Sequence, residues 1–283
     1  MPLSEFALRS VFHPTDFSPA SEVAFAHALK LALEAKAELR IMHVDATRPH
    51  WDEFPQVRET LARWGLLPPG SPRNAVSRLG LQVEKAHARG RDPVTAILHY
   101  LEQAPADLIV LATHQRQGPV RWMYEAIAEP ITRQSGAMTL FVPPRSTGFI
   151  SLQDGSINLH QIVIPVDQVP HPQSAVNAVI RLSRLVKTPN VSCTVVHVGA
   201  RDEMPKLYLS DSPGWTWTKT IREGDIVEQI LRSADEQAAD LIAMATQGHK
   251  GFLDALRGST TERVVRGARS SVLTIPADQP YLA

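Results

Sequence analysis

The 283-residue chain reads as an α/β protein of two tandem domains, each a five-stranded, mainly parallel sheet with helices on both faces. Three observations predict this. The second half repeats the first. Within each half, short apolar runs alternate with helix-like stretches. Capping and turn residues fall where those elements should begin and end.

The repeat is clearest when residues 92–143 are laid on 225–276. Ala106-Asp107-Leu108-Ile109 falls on Ala239-Asp240-Leu241-Ile242, Asp92 on Asp225, Glu129 on Glu262, Leu140 on Leu273 and Pro143 on Pro276. Chance does not hold one register over that distance, so the chain is a tandem duplication.

The elements follow in order. "SVFHPTD" and "QIVIPVD" are short apolar runs closing on Pro-x-Asp, the profile of a buried strand that ends at a turn. Ser18-Pro19 supplies an N-cap and a first-turn proline for a helix whose apolar side includes Phe25, Leu29 and Ala32. "AELRIMHV" and "VSCTVVHV" are second strands, and "LGLQVEKAHA" and "GWTWTKTI" are third strands. Helices follow near 93–103 and 226–237. "DLIVLATH" and "DLIAMATQ" are fourth strands, and "AMTLFVPP" and "SSVLTIPA" are fifth strands. Strands separated by helices imply right-handed βαβ units and a parallel sheet. A Ser-, Gly- and Asn-rich stretch within 145–161 separates the halves, which places the domains at 1–147 and 159–283 with a linker at 148–158.

Composition excludes several function classes. Lys plus Arg equals Asp plus Glu, at 29 each, so there is no basic excess to hold a nucleic-acid backbone. Cys193 is the sole cysteine, which rules out an intrachain disulfide and fits a reducing compartment. No apolar run approaches the roughly 20 residues of a membrane span, and the first residues lack a charged-then-apolar leader pattern. A cytoplasmic protein is expected.

In a parallel sheet, ligands bind beyond the C-terminal strand ends. There the second half brings together Asp167, His197-Val198, and a loop holding Gly248, Gly251, Gly258, Ser259 and Thr260. Glycines let backbone N–H groups approach phosphate oxygens closely. Ser259 followed by Glu262 reads as a capping box, so a helix should start at Ser259 and offer its free N–H groups to an anion. An aspartate nearby can accept from an adenine amino group or a ribose hydroxyl. Together these features point to a nucleotide site.

On "PTDFSPASEVA", the His-Val pairs ending the second strands, "ADLIVLATH" and "ADLIAMATQGHKGFLDALRGSTTERVVR", the chain resembles the universal stress protein family in its tandem form. That resemblance implies two flavodoxin-like (Rossmann-like) domains packed as an internal pseudo-dimer through paired fifth strands. It also implies ATP or a related adenine nucleotide, with Mg2+ carried on the phosphates and no protein metal ligands. Asp167 and the Val198 backbone would hold the base, with Pro165 and Val166 lining its pocket. Gly248, Gly251, Gly258, Ser259 and Thr260 would hold ribose and phosphates. Against the family's Gly-x2-Gly-x9-Gly-Ser/Thr motif, only six residues separate Gly251 from Gly258.

At the matching register the first half has Gln115 for Gly248, Glu125 for Gly258 and Ala126 for Ser259. A carboxylate at 125 would repel phosphate, and Pro130 removes an N–H near the last helix. The first half is therefore expected to be degenerate and structural, though Asp16 and Val44 retain the base half of a pocket. Arg116 and Arg121 read as a solvated face.

The eleven histidines are scattered without ligand spacing. His43 and His197 read as fold-specific hydrogen bonders, Cys193 as buried filler, Trp215 and Trp217 as packing, and Asp254 with Arg257 as an ion pair. No residue is placed as a general base, so no catalytic residue is assigned and any ATP hydrolysis should be slow. Two rival readings are a scaffold for a protein or lipid-like ligand and a weak ATPase or nucleotidyl-transfer enzyme. A signalling partner and a homodimer are open expectations.

Overall fold

A computed structural model describes residues 8–47, 51–113, 131, 134–143, 148–211, 213–247 and 260–277. Ten strands form one sheet. The first half supplies β1 (Ser10–Pro14), β2 (Glu38–Asp45), β3 (Gln82–Arg89), β4 (Leu108–Ala112) and β5 (Met138–Val142). The second supplies β6 (Gln161–Val166), β7 (Val191–Val198), β8 (Trp215–Arg222), β9 (Leu241–Thr246) and β10 (Ser271–Pro276). Their order is β3-β2-β1-β4-β5-β10-β9-β6-β7-β8. Every neighbouring pair is parallel except β5 with β10, which run antiparallel with Leu140 opposite Leu273. Thr274 Oγ1 also donates to the Thr139 carbonyl at 3.3 Å across this central pair. Neither fifth strand is left as an open edge, which a row of free N–H and C=O groups would otherwise make adhesive.

Seven helices are described: α1 (Pro19–Ala35), α2 (Val57–Arg63), α3 (Asn74–Arg78), α4 (Pro93–Gln103), α5 (Gln173–Leu185), α6 (Ile226–Glu236) and α7 (Thr260–Gly267). Ser18 caps α1 by accepting from Ser21 N–H, with Pro19 in the first turn. On one face, α1 and α5 bury Phe25, Leu29, Val176 and Val179 against Leu39, Ile41, Cys193 and Val195. On the other, α4, α6 and α7 bury Ile97, Ile230 and Val264 against Phe12, Ile109, Val163 and Ile242. Burial on both faces explains why the strands read as continuous apolar runs rather than alternating ones. Cys193 is fully buried, and burial pushes its thiol up to about 12, so it packs as a small apolar residue. No helix among the described residues is long and apolar enough to cross a membrane.

Several matched residues of the repeat turn out to be stitches. Asp107 Oδ2 accepts from the Arg9 and Ser10 N–H groups at 2.8 and 2.9 Å. Asp240 Oδ2 does the same for His160 and Gln161 at 2.7 and 2.8 Å. Asp92 and Asp225 are the N-caps of α4 and α6. His43 and His197 share a further role, their Nδ1 atoms lying 2.7 and 3.1 Å from the carbonyls of Thr15 and Val166. The predicted hydrogen-bonding role of these two histidines is thus seen directly.

The segment between the halves is packed. Ile150 bridges to Ile157, and Phe149 and Ile150 are buried. His27 Nε2 accepts from the Phe149 and Ile150 N–H groups at 3.1 and 3.2 Å, while its Nδ1 meets the Val23 carbonyl at 2.8 Å. Trp64 Nε1 donates to the Leu152 carbonyl, and Asn158 Nδ2 donates to Asp240. A Ser/Gly/Asn composition signals turns; it does not reveal that the turns are clamped between two domains.

Candidate functional site

The site expected in the second half lies where β6, β7 and β9 end. β6 and β9 are neighbours while β7 lies beyond β6, so the connections leave in opposite directions and open a crevice. A cleft of about 160 Å³ occupies it. Pro165, Val166 and Asp167 at the end of β6, Val198 at the end of β7 and Thr260 at the start of α7 all line it. The structure therefore brings together five predicted residues from three separated segments. Gly248, Gly251, Gly258 and Ser259 lie outside the described residues, as do Gln115, Arg116, Arg121, Glu125, Ala126 and Pro130 of the first half and Asp254 and Arg257.

Asp167 is exposed at the rim, and its Oδ1 accepts from the Gln168 N–H at 2.7 Å. Gln168 in turn donates through Nε2 to the Glu203 carbonyl at 2.8 Å, which ties the loop after β6 to the loop after β7. His197 is buried, and its Nε2 has no hydrogen-bond partner among the described residues. Gly199 lets the chain turn beside it: φ is +151°, and an added Cβ would sit 3.0 Å from His197 Nε2. α7 is described from Thr260, which lines the cleft beside the base-side residues, so the N-terminal end of this helix faces the same crevice. Arg263 of α7 pairs with Asp225, the cap of α6, at 3.3 Å, which fixes the two helix starts around the cleft.

Several lining residues were missed by sequence reasoning. Ile226 and Ile230 reach the cleft from the first turns of α6, Met244 from β9, and Val169 from the loop after β6. Val169 and Ile226 are 66% and 45% exposed, an apolar rim on an open site. The signal for the isoleucines was present: two branched residues four apart directly after the Asp225 cap must share one helix face.

The universal stress protein family matches the chain over residues 8–143 and 200–276. No functionally curated protein shows a significant match. Among solved structures, the chain is similar to a universal stress protein from Archaeoglobus fulgidus DSM 4304 at 17% identity and a TM-score of 0.59, covering 96% of this chain and 100% of that one. It is also similar to a protein of unknown function from Pseudomonas aeruginosa PAO1, at 15% identity and a TM-score of 0.59, covering 98% of this chain and 95% of that one. At such identities the two structures speak for the fold, and the family match covers most of the sequence. The chain is a tandem member of the universal stress protein family.

Proposed function

We propose that this protein binds an adenine nucleotide, ATP or a close relative, in its second half and acts by binding rather than by chemistry. The observation that carries the reading is the convergence of Pro165, Val166, Asp167, Val198 and Thr260 on one cleft. At about 160 Å³ it is small against the roughly 300–1,000 Å³ that encloses a drug-sized ligand. It suits a base, with ribose and phosphates running on toward the start of α7. Apolar walls from Val198, Ile230 and Met244 match the faces of a purine, and the Asp167 carboxylate matches an amino or hydroxyl donor at its edge.

Mg2+ would ride on the phosphates in this reading. Among the described residues, no group of three or more His, Cys, Asp or Glu side chains converges on a metal position. A bound nucleotide then acts by shifting a conformational equilibrium that favours the loaded form.

Calorimetric titration with Mg-ATP, run on wild type and on Gly258→Glu, tests this. Saturable heat without turnover in wild type, lost in the variant, is expected. Heat in neither protein would favour a scaffold, and turnover that vanishes in the variant would favour an enzyme.

A further inference from the structure

A second, larger cleft lies at the far edge of the first half. Between β2 and β3 the chain runs through α2 and α3, and these helices stand off the sheet to leave a space of about 650 Å³. Val57 and Val76 of the helices, with Leu81 just before β3 and Val83 within it, supply its apolar lining, and Gln56 and Ser77 are among its polar residues. Trp51 stands at its mouth, half exposed and stacked on Phe54 at 5.1 Å.

Three cations line the same space: Arg58, Arg73 and Lys85. Several cations elsewhere sit in ion pairs, as in Arg232–Glu228, Arg263–Asp225, Arg266–Glu262 and Arg269–Asp235. No carboxylate lies within ion-pair distance of these three among the described residues. The guanidinium of Arg58 donates to the Ser71 carbonyl at 2.9 Å, and the Lys85 ammonium lies 5.8 Å from the centre of the Phe54 ring. Burial, then Arg58 and Arg73, lower the Lys85 ammonium from its ordinary value, against a smaller opposite pull from Glu59. The charges facing the cleft are therefore these three cations, with Asp52 in the lining and Glu59 nearby on α2. Three cations against one lining carboxylate, with Glu59 beside them, leave the cleft net positive and favour an incoming anion.

We infer that this cleft binds a small amphipathic organic anion, with a carboxylate or phosphate head held by Arg58, Arg73 and Lys85 and a flat apolar body laid along Val76 and Val83 beside Trp51. Arginine suits such a head because its planar fork can engage two oxygens at once. The apolar body supplies the burial that a bare inorganic anion lacks, so the two parts together distinguish this ligand class from both phosphate and hydrocarbon.

The test is a calorimetric titration of the full-length protein with naphthoate, naphthol and inorganic phosphate. Saturable one-to-one binding of naphthoate is expected, with naphthol and phosphate each at least about tenfold weaker. The double variant Arg73→Gln/Lys85→Gln should weaken naphthoate at least about tenfold. Should the double variant fail to fold, Arg73→Glu alone, at an exposed position, carries the same charge test. Naphthol binding as well as naphthoate, phosphate displacing it at equal concentration, or unchanged affinity in a folded charge variant would each overturn the assignment.

Discussion

The outer edges of the two halves differ more than any other matched regions. His43 and His197 make equivalent bonds at the ends of β2 and β7, so the strands can be compared residue for residue. Four residues before His43, Leu39 pairs with Val83; four residues before His197, Cys193 pairs with Trp217. Val83 of β3, with Leu81 just before that strand, thus stands in the first half where the second presents Trp217 and Trp215. In the second half the two indoles stack at 5.5 Å, Trp217 Nε1 donates to the Ser210 carbonyl, and Met204, Leu207 and Leu209 pack alongside. With the shorter crossover of this half both indoles are partly buried. In the first half the crossover, 46–81, carries two helices over small side chains, and a cleft is left. Duplication has kept the stitches of the sheet and varied what sits on its edge. Ligand capacity moves with the crossovers, because they can change without disturbing a strand pairing.

The halves should also separate under acid. Burial lowers the imidazoles of His13 and His27, both in the first half, from the ordinary 6.5 to about 4. His13 sits between the Val110 carbonyl and Ser21, and His27 between the Val23 carbonyl and the Phe149 and Ile150 N–H groups. A folded value below the unfolded one means each neutral ring stabilises fully above about pH 6.5. That contribution, about 3 kcal/mol per histidine, is lost as pH falls from 6.5 through 4. Urea midpoints should drop steeply between pH 6.5 and 4, with first-half amides losing hydrogen-exchange protection before those of the second half. A flat profile, or simultaneous loss in both halves, would contradict the asymmetry.

The clamp on the first half offers the next largest effect. Gly148 has φ +65°, and a Cβ there would sit 2.2 Å from the His27 ring. Gly148→Ala should cost about 3–4 kcal/mol, since both the backbone region and the space are refused. The loss should be read by denaturant unfolding, and a change under 1 kcal/mol would mean the segment is not held as described.

Exchanging the edge residues gives the smallest effects and the most direct comparison. Trp217→Val should cost about 2–3 kcal/mol, because a half-buried indole and its hydrogen bond are removed. Val83→Trp should close the first-half cleft and weaken naphthoate at least about tenfold, with little loss of stability. If Val83→Trp leaves binding intact, the probe sits elsewhere.

Much of this was legible in the linear chain. All ten strands and the cap at Ser18 follow from short-range patterns, because a buried strand and a helix start are each specified within a few residues. The base side of the candidate site was equally legible, since Asp167 and Val198 are strand ends and a parallel sheet puts strand ends together. Two features were not. The 148–158 segment looked like a spacer, although it is clamped by His27 and Trp64, which lie far from it in sequence. The large cleft was missed although Val57, Thr60, Leu61 and Trp64 repeat at helical spacing.

Local chemistry therefore dictated the strands and the caps, for those depend on neighbours a few residues apart, and the duplication is legible because the same local patterns recur in one register. Which cations stay unpaired, which imidazoles are dried out and where a void opens depend on side chains brought together across the sheet. Such quantities come into being only when the chain closes on itself, since burial and counter-charge are properties of surroundings rather than of residues.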